Sequence, residues 1–243
     1  MNQLRSWATT VILWAYFIGF FVAGYWIAFL VAGLLRGRRG LAWGLGSYSR
    51  GFFWLLGLLV PRARLVVPDR RELRRTRGAV VVSNHISFLD PLLLLSVLPR
   101  TITIVRRDFF RVPVFGWLLS GAGFLAPDLF AEGQAWIDRV ARHLHAGGNL
   151  LVFPEGTRSR DGTVRAFKKG AFYLGRLLAA PLVVLRVQGT DHLFAPGRFV
   201  FDTTTSAPIE VARLASIPAA EADAATTFEL TQRVRSLYDL PAR

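Results

Sequence analysis

The chain has 243 residues, of which 52% are hydrophobic, and a formal net charge of +14. This length fits one domain plus an appendage. The absence of cysteine excludes a disulfide scaffold, a thiolate nucleophile and a cysteine-ligated metal site. All but two of the 30 basic residues are arginine, which binds phosphate and carboxylate through paired hydrogen bonds. Because none of the common nucleic-acid-binding modules is visible, we expect an anionic lipid or an acidic carrier as partner, and no nucleic acid.

An N-terminal apolar run over residues 6–35 contains no charged side chain. It is longer than the roughly 20 residues that a membrane-spanning helix needs, and it is apolar on every face, unlike a helix of a soluble domain. It also lacks the short core and cleavage site of a secretory signal. The run therefore predicts a membrane-embedded helical segment. Arg36, Arg38 and Arg39 follow it, so the positive-inside rule places the downstream domain on the cytoplasmic face of the inner membrane.

A second apolar run over residues 51–60 is too short to span a bilayer comfortably, and it fits a re-entrant or interfacial segment. One span, a hairpin and a half-inserted pair all remain open for the two runs. We predict membrane-anchoring helices in residues 1–60 and an α/β domain in residues 61–243. The arginine-rich stretch 61–77 fits a solvated basic loop or short strand pair, or a surface that docks on anionic headgroups of the membrane.

Apolar runs and helical periodicity alternate through the remaining chain. Strands are predicted at residues 78–83, 101–105, 149–153, 182–188, 198–202 and 207–211. Helices are predicted at residues 91–98, 133–146, 168–179 and 219–240, the first with Asp90 as its N-cap and Pro91 at its first position. This alternation predicts an α/β fold with a mixed, largely parallel sheet flanked by helices, whose active loops lie at strand ends.

A histidine and a carboxylate, His85 and Asp90, lie in the loop after the strand predicted at residues 78–83. On a helix they would point about 140° apart, so they meet only if the chain turns between them. Ser87 and the Asp90-Pro91 step favour such a turn. A carboxylate on one imidazole nitrogen fixes the tautomer, so that the other nitrogen can accept a proton. The alternative is that Asp90 only caps a helix and His85 is an ordinary loop residue.

A second polar cluster, FPEGTRSRDG over residues 153–162, follows another predicted strand. Its glycines allow backbone amides to approach an anion, and its arginines suit a phosphate. Lys168 and Lys169, at the start of the next predicted helix, would add donors. The alternative is a strand-to-helix turn with solvated charges. Because no Gly-x-Ser-x-Gly nucleophile motif is present, we expect direct attack by a substrate hydroxyl that His85 deprotonates.

Together, Asn84-His85-x-x-x-x-Asp90 and the later sequence FPEGTRS resemble the glycerolipid acyltransferases of the lysophosphatidic acid acyltransferase (1-acylglycerol-3-phosphate O-acyltransferase) type from bacterial phospholipid synthesis. The resemblance runs from about residue 78 to about residue 211. It implies acyl transfer from acyl-CoA or acyl carrier protein to a lyso-lipid hydroxyl, without a further cofactor or metal. His85 would be the base and Asp90 its partner. Substrate-binding residues would be Asn84, Arg107, Glu155, Gly156, Thr157, Arg158 and Lys168.

The chain departs from the pattern of that family in two places. Pro127, at the end of the sequence GAGFLAP, occupies the position of the usual phosphate-binding arginine, and Val184 replaces a second proline after Pro181. Arg106, Arg107 or Arg160 would have to bind a phosphate instead. The alternatives are therefore an acceptor without phosphate (a lyso-ornithine lipid, a glycolipid or a polyketide-like chain) and a non-catalytic membrane lipid-binding module. The intact catalytic motifs speak against the module.

The remaining histidines carry no site in this interpretation. His143 and His145 are two residues apart in a predicted helix, so they point about 200° apart and cannot share a metal on one face. We expect them to face solvent or to lie at the helix C-terminus. His192 is predicted in a loop.

Overall fold

The computed structural model describes residues 2–18, 25–112, 115–127, 133–159 and 163–239. Its helices are α1 (Asn2–Ala15), α2 (Tyr25–Leu59), α3 (Arg70–Leu73), α4 (Leu89–Val97), α5 (Arg107–Arg111), α6 (Phe115–Ala122), α7 (Gln134–His145), α8 (Gly170–Leu177), α9 (Thr190–Leu193), α10 (Ala219–Ala224) and α11 (Thr227–Ser236). Its strands are β1 (Leu65–Val66), β2 (Val80–Ser83), β3 (Thr101–Thr103), β4 (Asn149–Val152), β5 (Leu182–Gln188) and β6 (Ile209–Ile217).

Within the described residues, the strands form one mixed, six-stranded sheet in the order β1-β6-β5-β2-β4-β3. Strands β5, β2, β4 and β3 are mutually parallel, whereas β6 is antiparallel to β5 and parallel to β1. This confirms the predicted α/β fold with a largely parallel, mixed sheet. The carboxyl ends of parallel strands share one edge of a sheet, so the loops after β2, β4 and β5 meet there.

Helices cover both faces of the sheet, which buries the central strands on two sides. Val80 and Val82 of β2 face a cluster that includes Trp136 of α7 and Phe172 of α8. Val81 faces the other side, in a cluster with side chains of α2 and α4. A strand buried on both faces needs an apolar residue at every position, which explains why these strands are continuous apolar runs.

Most elements of the α/β domain lie where the sequence predicts them. The predicted strand 182–188 coincides with β5, and the three earlier predicted strands contain β2, β3 and β4. The predicted helices at residues 91–98, 133–146 and 168–179 overlap α4, α7 and α8. The basic stretch 61–77 forms β1 and α3, and Arg213 of β6 pairs there with Asp69 (3.7 Å) and with Glu72.

The predictions for the last part of the chain are wrong in two respects. Residues 198–202 form no strand, and one long strand, β6, runs along β5. Segment 198–202 instead contacts α1, where the Phe201 amide donates to Thr10 Oγ1 at 2.9 Å. The predicted helix 219–240 is divided into α10 and α11, because Thr226 and Glu229 form a reciprocal capping box that begins a new helix.

The N-terminal apolar run is helical on both sides of a short stretch that lies outside the described residues. Helix α1 ends at Ala15, residues 19–24 lie outside the described part, and α2 continues through the arginines as far as Leu59. A kink at Gly37 (φ 54°, ψ −141°) divides α2 into two segments. The second apolar run, 51–60, is mostly the end of α2. Among the residues that the structure describes, no helix has both the length and the apolar character required to cross a bilayer.

Asn149 ties together the amino ends of three parallel strands. Its side chain is fully buried, and its Oδ1 accepts from the Ala79 amide at 3.2 Å. Its Nδ2 donates to the carbonyl oxygens of Thr76 (3.0 Å) and Pro99 (2.9 Å). The residue therefore satisfies three backbone groups at the edge of the sheet opposite the loops after β2, β4 and β5.

We predict that Asn149→Ala lowers the free energy of unfolding by about 3 kcal/mol, because buried backbone groups lose their hydrogen-bond partners. Urea denaturation followed by circular dichroism measures this loss. Gln134→Ala is the control, because it removes an exposed side-chain bond to Asp138 and should change the stability by less than about 0.5 kcal/mol. Equal stability of the two variants would contradict the role of Asn149.

Candidate active site

The polar residues singled out in the sequence gather at the carboxyl edge of three adjacent strands, β5, β2 and β4. His85 follows β2, and Glu155 follows β4. A third residue, Thr190, follows β5. Parallel pairing of β2 with both neighbours brings the three loops side by side. The geometry therefore places side chains from three distant parts of the sequence in one site.

Asp90 is fully buried and accepts four hydrogen bonds. Its Oδ2 accepts from His85 Nδ1 (2.9 Å) and from the amides of Ile86 (2.7 Å) and Ser87 (2.8 Å). Its Oδ1 accepts from Thr190 Oγ1 at 2.6 Å. Donors from the loops after β2 and β5 therefore converge on the two oxygens of this one side chain.

The predicted capping role of Asp90 is wrong. The N-cap of α4 is Phe88, so Asp90 lies in the first helical turn and Pro91 is the third residue of the helix. The reason is a tight turn over residues 86–88, which directs the two preceding amides onto the Asp90 carboxylate. This turn also brings His85 and Asp90 together, as the sequence predicts.

His85 is held with one ring nitrogen paired and the other available. With the Asp90 oxygen as the acceptor of this bond, Nδ1 carries the donated proton and Nε2 carries the lone pair. The side chain is 17% exposed, and its ring stacks on Phe153 with centroids 4.2 Å apart. A neutral imidazole with this tautomer, orientation and exposure is suited to act as a general base.

Glu155 holds the backbone of His85 from the neighbouring loop. Its Oε1 accepts from the His85 amide at 2.9 Å, and its Oε2 accepts from the Arg165 amide at 3.0 Å. The His85 carbonyl accepts from the Ser159 amide at 2.8 Å. Glu155 is almost completely buried, and its contacts hold the loop after β2 that carries His85. A contact between Glu155 and substrate stays a prediction.

The outer part of the same loop is exposed and basic. Gly156, Thr157 and Arg158 face solvent, and Gly156 adopts a left-handed conformation with φ 71°. The end of Lys168 lies over Gly156, because a Cβ added there would be 2.7 Å from Lys168 Nζ. Of the predicted anion-binding residues, Lys168 thus reaches Gly156, and Arg158 follows in the same exposed loop, which is bonded to the His85 loop through Ser159. Arg160 is outside the described residues.

Two other predicted substrate-binding residues are placed differently. The amide of Asn84 is buried, donates to the Val187 carbonyl at 2.8 Å and accepts from the Val187 amide at 2.8 Å. It therefore fastens the loop after β2 to β5. Arg107 is exposed at the start of α5, after the edge strand β3. Binding of substrate by Asn84 or Arg107 stays a prediction.

The remaining histidines lie away from these three loops. His143 lies in the last turn of α7, and its Nε2 lies 3.1 Å from the Arg100 carbonyl oxygen and 3.3 Å from that of Asn149. Burial lowers the pKa of His143. His145 is exposed, and His192 is exposed within the short helix α9 rather than in a loop. His143 is therefore part of the structural network around Asn149.

Thr190 is a site residue that the sequence reasoning missed. In residues 189–192, the residue types make only His192 a candidate for a site. The threonine is completely buried and bonded to Asp90, which is 100 positions away in sequence. The available signal was its place directly after a glycine at the carboxyl end of a strand, where α/β proteins position functional side chains.

Comparison with known proteins identifies relatives of this chain. A model of the family described as Acyltransferase matches residues 64–188. Human 1-acyl-sn-glycerol-3-phosphate acyltransferase beta is 34% identical over 143 residues, which cover 57% of this chain and 50% of the human protein. The chloroplastic 1-acyl-sn-glycerol-3-phosphate acyltransferase BAT2 of Brassica napus is 37% identical over 113 residues, which cover 45% of this chain and 33% of BAT2. The chain thus spans half or less of the length of these curated relatives.

A solved structure extends the similarity to the whole chain. The crystal structure of the 1-acyl-sn-glycerophosphate (LPA) acyltransferase PlsC from Thermotoga maritima aligns with a TM-score of 0.76 over 100% of both chains. The two sequences are 22% identical, so this likeness shows a shared fold.

Proposed function

Because the chain belongs to the acyltransferase family, we propose that it transfers an acyl group from acyl-CoA or acyl carrier protein to the hydroxyl of a lysophospholipid such as 1-acyl-sn-glycerol-3-phosphate. The family match confirms the resemblance seen in the His85 and Glu155 motifs. The observation that carries the proposal is the pair of His85 and the buried Asp90, which leaves a base nitrogen where three loops meet. In this proposal the thioester is a co-substrate, and no further cofactor takes part.

The proposed reaction uses His85 first as a base and then as an acid. Nε2 removes the proton of the acceptor hydroxyl, and the oxygen attacks the thioester carbonyl carbon. The imidazolium that forms is stabilised by the Asp90 carboxylate, 2.9 Å from Nδ1. The tetrahedral intermediate then expels the thiolate, which takes the proton back from Nε2 and leaves as a thiol. The products are the acylated lipid and the free thiol of the donor.

The exposed basic loop beside His85 supports a phosphorylated acceptor. The end of Lys168 lies against Gly156, and Arg158 is exposed two residues later in the same loop. A guanidinium and an ammonium at such a place suit a phosphate monoester. The acceptor phosphate would bind there while its hydroxyl approaches Nε2 of His85.

One observation favours a second candidate, an acceptor without phosphate. Pro127 is exposed two residues after the buried Leu125, which bridges to Ile104 beyond the end of β3. A proline at this position offers neither a charge nor a backbone N–H to a phosphate. A lyso-ornithine lipid, a glycolipid or a polyketide-like chain would not require either group.

Membrane attachment through α1 and α2 also belongs to this proposal. In α1, Leu4, Trp7 and Val11 are exposed along one stripe, with side-chain exposures of 78%, 58% and 62%, whereas Thr9 and Thr10 are buried. A helix that buries hydroxyls and exposes apolar side chains is suited to a lipid surface rather than to water.

Helix α2 also exposes large apolar side chains. Trp43, Trp54 and Leu58 are exposed at helical spacings of eleven and four residues. Arg50 is exposed between the tryptophans, where a long basic side chain can reach anionic headgroups. We propose that these stripes hold the enzyme on the cytoplasmic face of the inner membrane.

The mechanism predicts that His85→Ala lowers kcat by about 1000-fold while the protein stays folded, because the variant has no base for the hydroxyl proton. Thiol release from acyl-CoA in the presence of 1-acyl-sn-glycerol-3-phosphate measures the rate. His145→Ala, which changes an exposed histidine of α7, should retain the wild-type rate. Wild-type turnover by His85→Ala would refute the mechanism.

The acceptor assignment predicts that removing the phosphate, as in 1-acylglycerol, lowers kcat/KM by about 100-fold, through the loss of charge-assisted hydrogen bonds. Arg158→Gln should raise the KM for the phosphorylated acceptor about tenfold. Arg74→Gln, at an exposed arginine just after α3, is the matched control and should leave that KM unchanged. Equal rates with and without the phosphate would favour the second candidate.

Membrane attachment predicts that the double variant Trp7→Gln, Trp54→Gln binds vesicles of anionic phospholipid at least about tenfold more weakly, because two large apolar surfaces no longer enter the lipid. Flotation of the purified protein with the vesicles measures the bound fraction. The control is Phe228→Gln, which removes an exposed aromatic side chain of α11 that belongs to neither stripe and should leave flotation unchanged. Unchanged flotation of the double variant would exclude attachment by these stripes.

A further inference from the structure

We propose that Thr190 is a positioning residue, whose hydroxyl fixes the rotation of the Asp90 carboxylate and thereby keeps the His85 base aligned. This inference rests on the proposed function, because it assigns Thr190 a part in the same proton transfer. The hydroxyl is 2.6 Å from Asp90 Oδ1, and both residues are completely buried. Thr190 acts through Asp90 and has no direct contact with substrate in this role.

The two oxygens of Asp90 are held by different parts of the chain. Oδ2 accepts from the His85 ring and from two amides of its own loop, while Oδ1 accepts from Thr190. The torsion that turns a carboxylate about its Cβ–Cγ bond has a broad minimum, so donors on one oxygen leave that rotation soft. A donor on the second oxygen restricts this rotation of the carboxylate. Thr190 therefore determines how squarely Oδ2 faces His85 Nδ1.

The turn before Thr190 determines where its side chain points. Gly189, directly after β5, has φ 81°, and a Cβ at this position would collide with the carbonyl oxygen of Pro208. The turn therefore requires glycine and aims the next side chain at the neighbouring loop. A β-branched residue such as Thr190 also has few side-chain rotamers, which restricts its hydroxyl further.

Two contacts, one on each side of Thr190, hold the loop after β5 against the loop after β2. Before Thr190, the backbone of Val187 exchanges two hydrogen bonds with the Asn84 side chain. After Thr190, the Phe194 carbonyl accepts from Ser87 Oγ at 2.8 Å. The Thr190–Asp90 bond lies between these contacts, so loss of the hydroxyl alone leaves the two loops attached. A change in activity then reports on the carboxylate rather than on separation of the loops.

The test compares Thr190→Val, which keeps the shape but removes the hydroxyl, with Thr190→Ser, which keeps the hydroxyl. Thr190→Val should lower kcat between about tenfold and 100-fold with an acceptor KM within about twofold of wild type, because a misaligned base slows proton transfer without altering binding. Thr190→Ser should retain at least about a third of the wild-type kcat. Equal kcat values for the two variants would overturn the proposal.

Thr231→Val is the matched control for loss of a buried hydroxyl. Thr231 of α11 is also buried and donates to the Thr227 carbonyl at 2.6 Å. Its substitution should leave kcat unchanged. A fall in kcat equal to that of Thr190→Val would reduce the effect to a general loss of stability and overturn the proposal. If Thr190→Val does not fold, Thr190→Cys replaces it, because its thiol is a weak donor of nearly the same shape as serine.

A double-mutant cycle separates positioning from a structural role. In an Asp90→Asn background, adding Thr190→Val should lower kcat by less than about twofold, because the carboxylate on which Thr190 acts is already absent. Multiplication of the two single effects would show that Thr190 acts independently of Asp90 and would overturn the proposal.

A spectroscopic measurement keeps this test separate from that of the proposed function. The low-field proton resonance of His85 Nδ1–H, identified by its loss in His85→Gln, should shift or broaden in Thr190→Val and stay unchanged in Thr231→Val. If the wild-type protein transferred no acyl group from any thioester, the proposed function would fail, and this resonance would still decide the role of Thr190. An unchanged resonance in Thr190→Val would overturn the inference.

Discussion

The site depends on the burial of one carboxylate, that of Asp90. A buried ion without partners costs several kcal/mol, so the fold is stable only if donors reach both oxygens. Two donors are backbone amides of the same loop, one is the ring of His85, and one is the hydroxyl of Thr190. The last donor lies just after β5, and it reaches Asp90 because β5 pairs with β2. The strand order of the sheet and the hydrogen bonding of Asp90 are thus parts of the same requirement.

A second buried carboxylate, that of Glu155, holds His85 from the neighbouring loop. It binds the backbone of His85 from the loop after β4, while Asp90 binds the ring from the start of α4. Phe153 stacks on the ring between these two supports. His85 is consequently fixed at its backbone, at its Nδ1 and on one face. In the proposed reaction, this preorganisation means that little reorganisation is needed when the proton moves.

How far the sequence predicts this site depends on the distance over which each contact acts. The central strands are predictable because burial on both faces demands continuous apolar runs, and the pairing of His85 with Asp90 is predictable because a turn between them is encoded locally. The exact position of Asp90 within α4 is not predictable, because its carboxylate accepts from the amides of Ile86 and Ser87 and does not cap the helix. Thr190 is invisible to spacing arguments, because its partner is brought near only by the sheet. The division of the last predicted helix into α10 and α11 is predictable from the sequence, since Thr226 and Glu229 have the spacing of a capping box.

The contacts of α1 connect the apolar N-terminal region to this chemistry. Phe17, just after α1, packs against Phe88 of the loop that joins His85 to Asp90, with ring centroids 5.7 Å apart. Trp14 packs against Phe194 at 6.1 Å, in the segment that accepts the hydrogen bond of Ser87. Aromatic packing therefore joins α1 directly to the loops after β2 and β5. If the stripe rests on lipid, as proposed, the same packing holds His85 near the bilayer surface, so an acceptor can present its hydroxyl while its acyl chain stays in lipid. The buried carboxylate then fixes the base within the protein, and the aromatic contacts fix its position relative to the membrane.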